Sequence, residues 1–523
     1  MKKFLSFLVL GMILMFPTGI LADKLVILHT NDTHSTIDAD KNGYGDILQR
    51  KALIDSIRAA EPNVILVDAG DVVQGSLYFK FFRGEVEYPL MDKMGYDIRI
   101  LGNHEFDNGI EDIAEYYSHT SGTPLSANYD FTGTVLDGIF SPYTIREVGG
   151  KKIGFFGINV DPKSLIDSKN TGGLRFKEII PVANETAEFL KKKKKCDLVV
   201  AVTHIGVVKD SDKTTDYELA AASKDIDIII GGHSHTVISP GNGGEYPSIV
   251  SNAKGKPVLV AQTGKYSRNL GYIAIDLDKL KKGSAKDFDY QLIPVTNRFP
   301  ESSLDREIIG FLEPYKQAVD SVNRRVIAYA DRFLSNTDRA GGLANFTADM
   351  AYDYARHKAD SLRSTNPAFP EVDFAIMNVG GIRQVMDKGE ITEGQILSTY
   401  PFSNHLAIAS LKGSDLIEAM RISAMKGGEA VSKQLLVIDG NDSRDPLVLI
   451  DGYPVDPDRV YTYATIDYLL GGNDNLTSLA NSETLWRDEV EVAAPILRYI
   501  ENMGELGITV NPDPRPRFIK SSK

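Results

Sequence analysis

The chain has 523 residues, which corresponds to about two to four domains. Apolar residues make up 42% and charged residues 25%, a globular composition that excludes a disordered or fibrous protein. The formal net charge of −13 excludes a non-specific nucleic-acid binder, which needs Lys and Arg to neutralise phosphate. An anionic substrate would therefore have to be attracted locally, by bound cations or by a few placed arginines.

The first residues read as a targeting segment. Lys2 and Lys3 precede an apolar run from Phe4 to Phe16, and Gly19-Ile-Leu-Ala22 gives a small-residue end before Asp23. That is the pattern of a cleavable secretory signal over residues 1–22, too short for a comfortable membrane span, and no Cys follows it for lipid attachment. Periplasmic or secreted localisation, with no stable membrane anchor, is the expectation. The single cysteine, Cys196, forms no internal disulfide and reads as a small buried hydrophobe.

From Lys24 to about Val295, short apolar runs alternate with amphipathic stretches. Strands are predicted at Leu25–His29, Val64–Asp68, Ile98–Leu101, Ile153–Ile158, Leu198–Thr203, Ile226–Ile230, Val258–Ala261 and Tyr272–Leu277. Helices are predicted at Asp46–Ala59, Ile110–Tyr117 and Val182–Lys193. The alternation indicates an α/β domain whose strands are buried on both faces. The Lys191–Lys195 run reads as a solvated helix end, where cations complement the dipole. Pro294–Pro300 reads as a boundary, Asp305–Val322 as a connecting helix, and a second α/β region begins near Ile327. The expected division is signal 1–22, a first domain 23–300, linker helix 301–325 and a second domain 326–523.

Polar groups with ligand chemistry follow the strands of the first region. They are Asn31-Asp32-Thr33-His34, Asp68-Ala69-Gly70-Asp71, Gly102-Asn103-His104-Glu105-Phe106-Asp107, Thr203-His204 and Gly231-Gly232-His233-Ser234-His235. Sites of open α/β sheets form just past the carboxyl ends of strands. Carboxylate, imidazole and amide ligands without cysteine suit divalent first-row metals such as Zn, Mn or Fe. Seven such side chains exceed one tetrahedral ion and suit two ions sharing a carboxylate. Such a pair binds a phosphoryl oxygen, generates hydroxide at neutral pH and stabilises a leaving group. Asp107 follows His104 by one helical turn, the spacing at which a carboxylate orients the imidazole of a general acid.

In the second region, Asn378-Val379-Gly380-Gly381-Ile382-Arg383 follows the apolar run Phe374–Met377. The paired glycines permit close backbone approach, and Arg383 can pair with an anion. Tyr400-Pro401-Phe402-Ser403-Asn404 and Asp467-Tyr468-Leu469-Leu470-Gly471-Gly472-Asn473-Asp474 each set an aromatic ring beside turn residues.

The motif set Asp32-Thr33-His34, Gly70-Asp71, Gly102-Asn103-His104-Glu105, Thr203-His204 and Gly232-His233-Ser234-His235 resembles the calcineurin-like metallophosphoesterase superfamily. The extended Leu28–His34 and Gly102–Asp107 segments narrow the resemblance to the exported 5′-nucleotidase family, over nearly the whole mature chain. The resemblance implies a β-sandwich flanked by helices, followed by a second α/β domain that binds substrate. It implies one metal held by Asp32, His34, Asp71 and His235, and another by Asp71, Asn103, His204 and His233, with His104 and Asp107 as a catalytic dyad. It also implies substrate contacts from Arg339, Asn378, Arg383 and Asn404, a base sandwiched by Phe402 and Tyr468, and sugar hydroxyls bound by Asp474. Stacking tolerates any base, so broad specificity is expected. Arg339 is matched by its spacing to Asn345-Phe346. Tyr468 departs from the family's usual Phe, and Asn473 from a usual Gly, where a residue tolerant of left-handed backbone is expected. The expected activity is phosphate release from nucleoside 5′-monophosphates, with a nucleotide as small-molecule partner. The alternatives are pyrophosphate cleavage of nucleotide sugars or dinucleotides, 2′,3′-cyclic nucleotide hydrolysis, and non-catalytic nucleotide or metal binding.

Overall fold

The computed structural model describes residues 24–520 apart from 164, 209–212, 242–243, 281–286, 336–341 and 440–444. The expected signal segment and Arg339 lie outside the described residues. No helix among the described residues is long and apolar enough to cross a membrane.

Two six-stranded sheets form the first region. One runs Asp289–Pro294, Asn269–Asp276, Lys24–Thr30, Val64–Asp68, Ile98–Ile100, Thr123–Leu125; the other runs Ile249–Ser251, Pro257–Ala261, Ile228–Ile230, Leu198–His204, Lys151–Asn159, Tyr143–Val148. The central strands pair in parallel, as does the edge strand Thr123–Leu125, while the other outer strands are antiparallel. Strand alternation explains the continuous apolar runs. Leu25 and Ile27 enter the core between the sheets with Val200, Val202 and Phe155, while Val26 and Leu28 face a helical layer with Leu53 and Ile54. Val199, Ala201 and Val260 face the helices on the opposite side, where Cys196 is buried as the small hydrophobe expected. The architecture is the sandwich flanked by helices. The edge strands Tyr143–Val148, Ile249–Ser251 and Asp289–Pro294 escape sequence reading because each is partly exposed and its polar residues dilute the apolar signal.

Local signals set the flanking helices. Asp46 caps Ile47–Ala60 by accepting from Gln49 N at 3.0 Å, and Thr215 and Glu218 form a capping box at Asp216–Ala222. The lysine run ends its helix in a widened turn, Phe189–Lys193, and Lys191 pairs with Asp227 at 2.7 Å.

Asp305 caps the connecting helix Arg306–Asn323 by accepting from Glu307 N and Ile308 N. Its Ile308, Leu312 and Val319 are buried in the first region's core. In the second region a five-stranded sheet runs Ala430–Val431, Phe374–Met377, Val460–Ile466, His405–Lys412, Glu483–Glu491. Phe374–Met377 and Val460–Ile466 are parallel, and His405–Lys412 starts where they end, with Leu406 opposite Ile466. Asn378, Asn404 and Tyr468 therefore emerge at one end of one sheet. Leu397 packs against the cores of both regions, and Lys80 ties them further through Pro401 O at 3.2 Å and an ion pair with Glu491.

Candidate active site

The register of the first region levels its strand ends. Thr30 stands opposite Asp68, and Val202 opposite Ile230, so the loops that follow open on one face. Each loop turns sharply. Asp32, His34, Asp71, His233 and His235 all have left-handed backbone, with φ between 47° and 76°. Such conformations persist only where the surroundings fix them. Glycines make room: a Cβ at Gly102 would lie 2.2 Å from Asp71 Oδ1, and one at Gly232 would lie 2.7 Å from His204 Nδ1.

The ligand types converge. Asp32, His34, Asp71 and His235 form one group and Asp71, His204 and His233 a second, each with its ligand atoms within 4.8 Å of one another. Asn103 Oδ1 joins the second group, 2.9 Å from His233 Nδ1. His34 Nε2 and His235 Nε2 stand 2.9 Å apart, and His204 Nε2 lies 3.1 Å from Asp71 Oδ2 without hydrogen-bond alignment. Buried ring nitrogens crowded this closely around a shared carboxylate fit a bound cation better than one another. His204 Nδ1 donates to Ala69 O at 2.7 Å, because a carbonyl only accepts, so it is Nε2 that would give up its proton to a bound cation and offer a lone pair.

Electrostatics agree. Burial alone would raise Asp71, but His204, His104 and His34 outweigh it and hold the carboxyl well below its usual range. Burial disfavours a charged His204, yet Asp71 and Asp32 push it up to about 10. Burial keeps His34 well below the usual imidazole value and brings His233 down to about 3, so both rings are neutral lone-pair donors. The pocket attracts positive charge and offers neutral nitrogen to hold it. The donor set fits divalent metal ions.

Beside this cluster His104 Nδ1 lies 2.9 Å from Asp107 Oδ2, and its backbone N–H donates to Asp71 Oδ1 at 2.9 Å. Burial opposes its charged form, but Asp107 and Asp71 raise its pKa above the usual value.

Both walls meet in a cavity of about 630 Å³. Asp71, Asn103, His104, Asp107, His233 and His235 line one side. Asn378, Arg383, Phe402, Asn404, Tyr468 and Asp474 line the other. Asp32, His34 and His204 lie behind the first wall, fully buried. The Phe402 ring centre is 6.0 Å from that of His104, and Arg383 Cζ lies 5.7 Å from the Phe402 ring. The hydroxyl that distinguishes Tyr468 donates to Asp474 Oδ1 at 3.3 Å, and Asn378 Nδ2 donates to Asp474 Oδ2 at 2.9 Å. The left-handed positions of this turn are Gly472, Asp474 and Asn475 rather than Asn473, whose amide instead donates to Tyr468 O at 2.8 Å.

Two residues with no role in the sequence reading complete the arrangement. Glu105 accepts the backbone N–H groups of Asp71 (3.0 Å), Val72 (2.7 Å) and Gly102 (2.5 Å), locking two ligand loops together. Its position between the two members of the dyad, two residues past the ligand Asn103, was the available signal. Gln74, at φ 82°, accepts from Arg383 Nη2 at 3.1 Å across the cavity, and nothing in its sequence neighbourhood marks it.

Comparisons with known proteins agree with this geometry. Residues 25–237 match the calcineurin-like phosphoesterase family and residues 325–481 the 5′-nucleotidase C-terminal domain. The chain is 28% identical to the trifunctional nucleotide phosphoesterase protein YfkN of Bacillus subtilis over 93% of its own length, and spans about a third (34%) of that protein. It is 27% identical to the 5′-nucleotidase of Bos taurus, covering 88% of this chain and 85% of that one. The crystal structure of a 5′-nucleotidase precursor from Thermus thermophilus superposes with a TM-score of 0.80 at 25% identity, covering 96% of this chain and 100% of the other. The chain belongs to the 5′-nucleotidase family, with a calcineurin-like phosphoesterase domain followed by a 5′-nucleotidase C-terminal domain, and is a metal-dependent phosphoesterase.

Proposed function

We propose that the protein is an exported, dinuclear metal phosphohydrolase that releases phosphate from nucleoside 5′-monophosphates. The observation that carries this reading is the cavity of about 630 Å³ whose one wall holds the ligand cluster and the His104–Asp107 pair, and whose other wall holds two aromatic rings, Arg383 and Asp474. The nucleotide substrates named for the relatives support it. The division into residues 23–300, 301–325 and 326–523 and the export directed by residues 1–22 belong to the same proposal.

Asp32, His34, Asp71 and His235 would hold one ion, and Asp71, Asn103, His204 and His233 the other. Bound ions would supply the positive charge that an acidic protein needs to attract phosphate, and would activate water at neutral pH. His104, with Nδ1–H directed to Asp107, is left to hold a proton at Nε2 against the charge that develops on the phosphoryl oxygens. Phe402 and Tyr468 would stack the base, while Asp474, fixed by Asn378 and Tyr468, would accept the sugar hydroxyls. Arg383 and Asn404 complete the substrate wall, and Arg339, outside the described residues, is assigned a substrate contact by family resemblance alone.

The test is phosphate release from a panel of nucleoside 5′-monophosphates, a 2′,3′-cyclic nucleotide, a dinucleotide and an aryl phosphate. Each is assayed after chelation and after add-back of Zn, Mn or Co. The 5′-monophosphates should be cleaved best, and only with metal present. Preference for the cyclic nucleotide or the dinucleotide would replace the proposed substrate, and full activity with metal verified absent would reject the mechanism.

A further inference from the structure

The loop that carries His233 and His235 alternates two kinds of residue. His233 and His235 reach the ligand cluster, and the residues between and beside them reach a single buried amide. Gln262, 0% exposed, donates from Nε2 to Gly232 O at 2.8 Å. Its Oε1 accepts from Thr236 N at 2.6 Å and from Ser234 Oγ at 3.0 Å. Both ends of the amide are used, each by a partner that only that end can satisfy. The backbone adds Ile238 N to Gln262 O at 3.1 Å and Gly264 N to Thr236 O at 3.0 Å.

The next residue fastens the other ligand loop. Thr263 donates through N and Oγ1 to Asn31 Oδ1 at 2.8 and 2.7 Å, and Asn31 Nδ2 donates to Asp32 Oδ2 at 2.6 Å. His233 and His235 hold left-handed backbone at φ 76° and 56°, a conformation that needs its surroundings to over-determine it. Gln262 supplies that determination at the three flanking positions while contributing no ligand atom.

We propose that Gln262 is a positioning residue for the metal centre, setting its affinity by fixing the backbone between the two histidines. Outer-shell partners of this kind typically change metal affinity about 10–100-fold. The inference rests on the ligand assignment above. Gln262→Met keeps a similar volume and removes the amide. In competition titrations of the apo protein with zinc against a chromophoric chelator, Gln262→Met should bind about 10–100-fold more weakly than wild type. Excess zinc should restore kcat with KM for the phosphate ester unchanged. Ser234→Ala removes one of the three contacts and should give a smaller loss in the same direction, which keeps the test available if Gln262→Met does not fold. Unchanged zinc affinity in the folded variants, with only the apo melting temperature lowered, would reduce Gln262 to a structural residue and overturn the proposal. Wild-type protein that takes up no divalent ion would sink the ligand assignment, and the role of Gln262 with it.

Discussion

On the first wall of the cavity, Asp32, His34, Asp71 and His204 are no more than 1% exposed and sit at the ends of sheet strands. On the second wall Arg383, Phe402, Asn404 and Asp474 are half-buried on loops and Tyr468 is half-buried on the short helix Asp467–Leu470, and of these only Asp474 has left-handed backbone. The first wall is cross-linked by Glu105 and Gln262 through buried hydrogen bonds, whereas the second is joined to the first by partly exposed side chains, Arg383 to Gln74 and Lys80 to Pro401 among them. Metal chemistry needs ligands fixed before anything binds, and recognition of a nucleoside needs surfaces it can enter. The difference in burial therefore predicts a difference in failure: damage to the first wall should remove turnover, and damage to the second should remove selectivity.

The largest effect is expected at the residue common to both ligand groups. Asp71→Asn should lower metal content, measured by elemental analysis, and take activity to background on every substrate. Retained metal and rate would mean that the groups do not share this carboxylate. His104→Ala should lower kcat about 10²–10⁴-fold with metal content near wild type. Loss of metal in this variant would show that His104 is a ligand. A smaller effect is expected from Asp107→Asn. His104 is needed protonated and its pKa is raised in part by Asp107, so activity should fall as pH rises through that value. Removing the Asp107 charge should shift this alkaline limb to lower pH, and an unmoved limb in the pH profile would assign it to another group.

The two walls were unequally legible in the sequence. Asp, His and Asn gathered just past five apolar strands mark a place for cations, so the first wall could be located from its residues, while the sorting of ligands between two ions came from the family resemblance. The sandwich itself could not, because Leu25–His29 shows that a strand is buried on both faces without showing whether the second face meets a helix or another sheet. On the second wall Phe402 and Tyr468 are residue types that usually fill cores, and only the tertiary meeting of three strand ends brings them to the cavity. Gln262 lay beyond reach, since its partners are 26 to 30 residues away and a Gln after a strand carries no signal. The connecting helix was visible by its period and its Asp305 cap. Its attachment to the first core, through Ile308 and Leu312, depends on packing that periodicity does not specify.

The division of labour between the walls is tested most directly by substrate selectivity. The measurement is kcat/KM for a nucleoside 5′-monophosphate and for a small aryl phosphate, in wild type and in the Phe402→Ala/Tyr468→Ala double variant, at saturating metal. Stacking is worth about 1–3 kcal/mol per base, so the nucleotide should lose about that much, mainly through KM, while the aryl phosphate stays near its wild-type value. Equal losses on both substrates would show that these rings support the fold, and would contradict the assignment of recognition to the second wall.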